Sequence, residues 1–262
     1  MKVKWSSNTK QSILFLAITF FLTYTCWLIL ASNPNLKYGT PVFMVLYLVG
    51  GFGPTISALI VMKLNKELTK DYLKRLFKWK INPLLYVLVI FIVVLICLLL
   101  VIINNKEQYK ILDWYMVFPL FISMIIGGGL EELGWRGILQ DSLNKEKWNI
   151  ILSSLIIGII WAFWHLPLFY INGVYQYQGN FILFFVNVIG LSLILTVLYT
   201  MSNSILLCII FHALMNASVA MGFDVSRDNE FGLIIKTSIP LIVGSVIMLL
   251  YLIVKNRRGH IK

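Results

Sequence analysis

The chain has 262 residues, of which 59% are hydrophobic and only 13% charged, and its formal net charge is +11. Soluble domains carry about 25% charged residues, so composition excludes an ordinary soluble fold. The basic excess would suit nucleic acid, but its placement along the chain makes it a topology signal with no nucleic-acid partner implied.

Apolar residues gather in runs of bilayer-spanning length, about 20 residues each. Eight are read, at 11–31, 41–64, 83–103, 114–140, 150–171, 180–201, 203–222 and 233–254. They predict an all-α, polytopic membrane protein of about eight transmembrane helices, forming one integral membrane domain over 1–262. The first run follows a basic start, as in a signal peptide. It ends in LILASN with no small-x-small cleavage pattern, so it reads as an uncleaved span. After the second run, KLNKELTKDYLKRLFKWK spaces Lys66, Lys70, Lys74 and Lys78 four apart with Leu73, Leu76 and Phe77 between them. That is the pattern of a basic amphipathic helix on an anionic leaflet, or of a plain basic loop. Runs six and seven are nearly continuous, with MSNS as a tight turn. Cys26, Cys97 and Cys208 lie inside apolar runs without paired spacing and read as packing residues.

Eight spans put the N-terminus, the loops 63–82, 141–149 and 201–204 and the C-terminal tail on one side. Sixteen Lys and Arg fall there, against five (Lys37, Lys106, Lys110, Arg227 and Lys236) on the other. The positive-inside rule then predicts a multi-pass protein of the cell membrane with cytoplasmic N- and C-termini.

Within the fourth run, GGGLEELGWRGIL carries Glu131, Glu132 and Arg136. A charge at membrane depth costs about 2.5–3.5 kcal/mol on insertion scales, so it is retained for a purpose. On a regular helix Glu132 and Arg136, four apart, share a face and pair. Glu131, about 100° away, is left over. A carboxyl without a charge partner in an apolar setting suits a general base near neutral pH. The plain alternative is an ion-pair network that only locks the bundle. The flanking glycines allow close helix approach.

The fifth run carries WAFWHLPLF, where Pro167 cannot donate to the Phe163 carbonyl and should kink the helix beside His165. The seventh carries FHALMNAS, where His212 and Asn216, four apart, project from one face and can hydrogen-bond a developing oxyanion. Only His260, in the tail, stands apart. A rise of about 1.5 Å per residue puts Glu131 and His212 about 12–16 Å deep and His165 about 22 Å, a mismatch that shrinks if span five projects beyond the bilayer. INGVYQYQGNF offers either an entrance lining or an interfacial aromatic belt.

EELGWR, WAFWHLP and HALMN, in that order over about 131–216, resemble the CPBP family, the CAAX-protease and bacteriocin-processing group also called Abi. Its members are intramembrane endopeptidases similar to type II CAAX prenyl endopeptidases. The resemblance implies an eight-helix fold with its catalytic core at about 114–222. It implies that Glu131 and His165 activate the attacking water, that His212 and Asn216 stabilise the oxyanion, and that Glu132 and Arg136 support them. It implies no cofactor. One position departs from the family: Trp161 stands where phenylalanine is usual, a change whose bulk bears on the pocket more than on the chemistry.

The expected activity is hydrolysis of a membrane-associated peptide, prenylated, bacteriocin-like or other, with the lipid bilayer as the second partner. Three other readings stay open on the residues. A zinc protease would use Glu131, His165 and His212 as ligands, although HExxH is absent. A proton-coupled transporter would relay protons through buried Glu and His. A non-enzymatic immunity protein would bind a peptide toxin.

Overall fold

In the computed structural model, residues 6–103, 112–222 and 230–259 are described. The topology assignments of Lys2, Lys4, Lys106, Lys110, Arg227 and Lys262, and the tail position of His260, lie outside them. All regular structure among the described residues is helical. In chain order the helices are α1 (Ser7–Ser32), α2 (Pro41–Gly51), α3 (Gly53–Leu64), α4 (Lys66–Leu76), α5 (Pro83–Ile103) and α6 (Val117–Ile126). A composite helix α7 over 129–145 follows, then α8 (Ile150–Trp164), α9 (Phe181–Ser202), α10 (Ile205–Ala220) and α11 (Glu230–Gly259).

Among the described residues, six helical stretches are long and apolar enough to cross a membrane, and a seventh is α2 with α3 if that bent pair counts as one span. Together they make a multi-pass membrane protein. Eight spans were expected; the remaining one, α10, is apolar but only 16 residues long. It starts below the end of the bundle, where Ser202 and Ser204 are already buried. The MSNS turn takes the expected form: Asn203 adopts a left-handed conformation (φ 50°), and the Ser204 side chain caps α10 by accepting from Leu207 N. α9 lies deepest, packed between α8 and α11.

Two prolines interrupt spans, and α1 repairs both breaks. Pro54 cannot donate to the Gly50 carbonyl, and α2 and α3 meet at 54°. The Thr23 hydroxyl donates to Gly50 O instead, at 2.7 Å. Pro167 does more than kink α8. The helix stops at Trp164 and continues as a tighter 3₁₀ turn, Leu166–Tyr170. The Phe163 carbonyl that Pro167 leaves behind accepts from Tyr24 Oη at 2.7 Å.

Four of the five segments that the charge pattern assigned to one side touch one another. Ser6 donates to Glu146, and Arg75 pairs with Asp141 at 3.1 Å. Lys78 Nζ donates to Ser202 O at 2.7 Å, and Ser204 Oγ to Lys78 O at 2.7 Å. α4 is therefore more than a surface helix. Its Tyr72 and Arg75 are buried against the bundle while Lys70 and Lys74 face outward.

The contact between α9 and α11 is close enough to be tested. A Cβ at Gly190 would overlap Leu241 N and Pro240 C, which are backbone atoms and cannot rotate away, whereas one at Gly51 meets only Trp27 at 3.9 Å. Gly190→Ala is expected to destabilise the protein by about 1–3 kcal/mol, read as a lower thermal midpoint in detergent, with Gly51→Ala near the native value.

Candidate active site

The helix that carries the two glutamates is not regular. After α6 ends at Ile126, Gly127 and Gly128 break the chain, and a 3₁₀ turn (Gly129–Glu131) leads into one α-turn (Glu132–Gly134). A π-helical stretch (Trp135–Gln140) and a final α-turn (Asp141–Lys145) complete α7. Its displaced carbonyls find side-chain donors on neighbouring helices. Leu130 O accepts from Thr55 Oγ1 at 2.8 Å and Leu133 O from Tyr72 Oη at 2.7 Å. Gly137 O accepts from Arg75 Nη1 at 3.4 Å. Burial pushes the Tyr72 phenol above its ordinary value, so it remains a donor at any physiological pH.

The expected pairing survives this irregularity. Arg136 Nη1 lies 3.0 Å from Glu132 Oε2, with both side chains fully buried. Glu132 also has a partner that spacing did not suggest: His212 Nδ1 stands 2.8 Å from its other oxygen, Oε1. Glu132 is thus engaged on both oxygens. Glu131 makes no ion pair among the described residues, and its Oε2 accepts from Trp161 Nε1 at 2.8 Å.

That hydrogen bond changes the reading of Trp161, because phenylalanine has no N–H to offer. The residue expected to matter through its bulk contacts Glu131 directly. Its ring lies edge-on to His212 at 5.2 Å, near His165 at 6.0 Å, and 5.3 Å from the Arg136 guanidinium.

His165 caps α8 where Pro167 ends it. Its Nδ1 is 2.9 Å from Trp161 O, and a carbonyl only accepts, so the neutral ring carries its proton there and keeps a lone pair on Nε2. Trp164 and Phe184 hold the ring edge-on at 4.5 and 5.0 Å. The depth mismatch between Glu131 and His165 closes for a reason other than the one anticipated. α7 runs on to Lys145, past the expected end at 140, so Glu131 lies about 21 Å and His165 about 22 Å from the α7–α8 turn at about 1.5 Å per residue.

His212 and Asn216 share one face of α10 and converge on Gly128. A Cβ at Gly128 would overlap Asn216 Nδ2 and lie 3.2 Å from His212 Nε2, so only glycine admits both polar atoms. Glu131, Trp161, His165, His212 and Asn216 all line one cavity of about 640 Å³. Tyr175 and Gln176 line it too, which makes part of the VYQYQG loop cavity wall. Lys236, counted with an extramembrane loop from sequence, is buried on α11 and contributes to the same wall. Among the described residues no three His, Cys, Asp or Glu side chains gather as a metal site.

The Rce1-like family model, described as type II CAAX prenyl endopeptidase Rce1-like, matches residues 113–218, the stretch holding all four cavity-lining polar residues first read from sequence. A protein of Methanococcus maripaludis named CAAX prenyl protease 2 is 29% identical over 263 residues, covering 93% of this chain and 95% of the relative.

Over residues 113–218 the chain is similar to the Rce1-like family.

This similarity to type II CAAX prenyl endopeptidases supports a membrane protease.

The Trp161–Glu131 bond can be measured without any substrate. A double-mutant cycle of Trp161→Phe and Glu131→Ala, read by unfolding in detergent, is expected to give a coupling energy of about 1.5–3 kcal/mol, as for a buried hydrogen bond to a charged group. Coupling below about 0.5 kcal/mol would mean that the indole does not hold the carboxylate.

Proposed function

We propose that the chain is an intramembrane endopeptidase in which Glu131 and His165 activate water to hydrolyse a peptide bond. One observation carries the reading. Both imidazoles, Asn216 and Glu131 line one cavity, while Arg136 and His212 engage Glu132 and leave Glu131 without a cationic partner among the described residues.

In this mechanism Trp161 occupies Glu131 Oε2, so Oε1 takes a proton from the water as its oxygen attacks the scissile carbonyl carbon. The second hydrogen of the water points to the Nε2 lone pair of His165, which orients it. The oxyanion forms beside Asn216 Nδ2 and His212 Nε2. For Nε2 to donate while Nδ1 donates to Glu132, the His212 ring must be an imidazolium. Glu131 then delivers its proton to the leaving nitrogen as the C–N bond breaks. One carboxylate and one amine result, and no serine or cysteine is acylated.

The relative's name carries the substrate proposal: a membrane-associated peptide with a prenylated CAAX-like end. A bacteriocin-like peptide would suit the same cavity chemistry. We further assign the protein to the cell membrane with both termini cytoplasmic, as a single domain whose catalytic core is about 114–222.

Vesicle-reconstituted protein and a quenched fluorescent prenylated CAAX peptide provide the test. Glu131→Gln is expected to lower turnover about 10²–10⁴-fold with unchanged folding. Asn216→Ala should lower it about 10²–10³-fold. Strong chelation should leave the rate unchanged. Retained turnover in Glu131→Gln removes the proposed base, and loss on chelation with recovery on added zinc replaces the mechanism.

A further inference from the structure

α4 has two faces with different partners. At about 100° per residue, Lys70, Leu73, Lys74 and Phe77 fall within one outward arc, with Tyr72 and Arg75 opposite. Leu73 is 42% exposed, Phe77 69%, and the following Trp79 63%. A helix packed on a bundle and facing water normally presents polar residues outward, whereas this outer face interleaves apolar rings with cations. Lys80 completes it, with its Nζ 5.2 Å over the Trp79 ring. Among residues whose side chains are described, Lys70, Lys74 and Lys80 make no ion pair, and Asp71 and Asp141 pair with Arg75 and Lys145. Cations beside exposed aromatic and aliphatic groups, at the end of a membrane bundle, match the phosphate and acyl layers of an anionic bilayer surface.

The inner face grips the helix that carries the glutamates. Tyr72 Oη bonds the carbonyl of Leu133, the residue after Glu132. Arg75 Nη1 reaches Gly137 O at 3.4 Å, Asp141 at 3.1 Å and Tyr199 Oη at 2.5 Å. Gly137 lets the Tyr72 ring lie flush, since a Cβ there would overlap it. These contacts fall on the π-helical stretch and its edges, where backbone hydrogen bonding is least regular.

We propose that the outer face of α4 binds anionic phospholipid headgroups and that this seating, transmitted through Tyr72 and Arg75, holds α7 in the conformation that presents Glu131. The last clause rests on the peptidase reading; the lipid contact and its transmission do not.

The test reconstitutes the whole chain in phosphatidylcholine vesicles with or without phosphatidylglycerol, and reads amide hydrogen exchange and peptide turnover together. Phosphatidylglycerol is expected to raise protection at 66–80 by roughly tenfold to thirtyfold, two lysines near an anionic surface setting the scale. Protection at 129–145 and turnover should rise with it. Lys70→Gln with Lys74→Gln should abolish the response at both stretches while keeping the rate seen in neutral lipid. Tyr72→Phe should keep the response at 66–80 and weaken it at 129–145, a separation that mere destabilisation would not give. The proposal is overturned if protection at 66–80 ignores phosphatidylglycerol, if the double variant responds like the native chain, or if 129–145 never follows. Absence of turnover in every lipid, with the exchange pattern intact, would count against the peptidase reading and leave the α4 contact standing.

Discussion

A peptide carbonyl released from its helix inside an apolar bundle has no water to turn to, and this constraint governs the architecture. Irregular backbone survives at membrane depth only where other protein groups satisfy it. Among the described residues the backbone is broken at Pro54, at Pro167 and along α7, and at each a hydroxyl, phenol or guanidinium from a neighbouring helix meets a freed carbonyl. Thr23 and Tyr24, adjacent on α1, serve Gly50 and Phe163. Thr55, Tyr72 and Arg75 serve α7. Thr23 also accepts from Trp164 Nε1 at 2.8 Å, tying the first span to the helix that carries His165. The polar atoms scattered through otherwise apolar helices are therefore what allows the site helix to be broken.

Breaking that helix separates the environments of two adjacent carboxyls. Glu132 is fully buried and paired on both oxygens, so removing one partner would leave an uncompensated buried charge, a loss of about 3–5 kcal/mol in comparable cases. Glu131, one residue earlier in the 3₁₀ turn, faces the cavity and accepts from the Trp161 indole. Two identical side chains acquire different roles from their surroundings, as the proposed mechanism requires. Trp161 joins the two halves, bonded to one glutamate and stacked near the arginine that neutralises the other.

Much of this was legible in the residue order. Apolar run length revealed membrane-spanning helices, because the cost of exposing polar backbone to lipid leaves few other structures. Spacing of four revealed the Glu132–Arg136 and His212–Asn216 pairs, since nearest neighbours on a helix face recur at that interval whether or not a turn is slightly over- or underwound. The short turn at Asn203 was visible as a polar break between two apolar runs. The bend at Pro54 and the π-helical stretch were missed, because a run of apolar residues looks the same whether it is straight or broken.

What the chain determined by itself was local and one-dimensional: which stretches are apolar enough to cross a membrane and which side chains share a face. The tertiary structure decided which faces meet. It brought His212 to Glu132, aimed the Trp161 indole at Glu131, drew Lys236 into the cavity wall and set α4 against α7. Those contacts join residues tens of positions apart, and they depend on helix rotation and depth, which packing between elements sets and no single segment encodes.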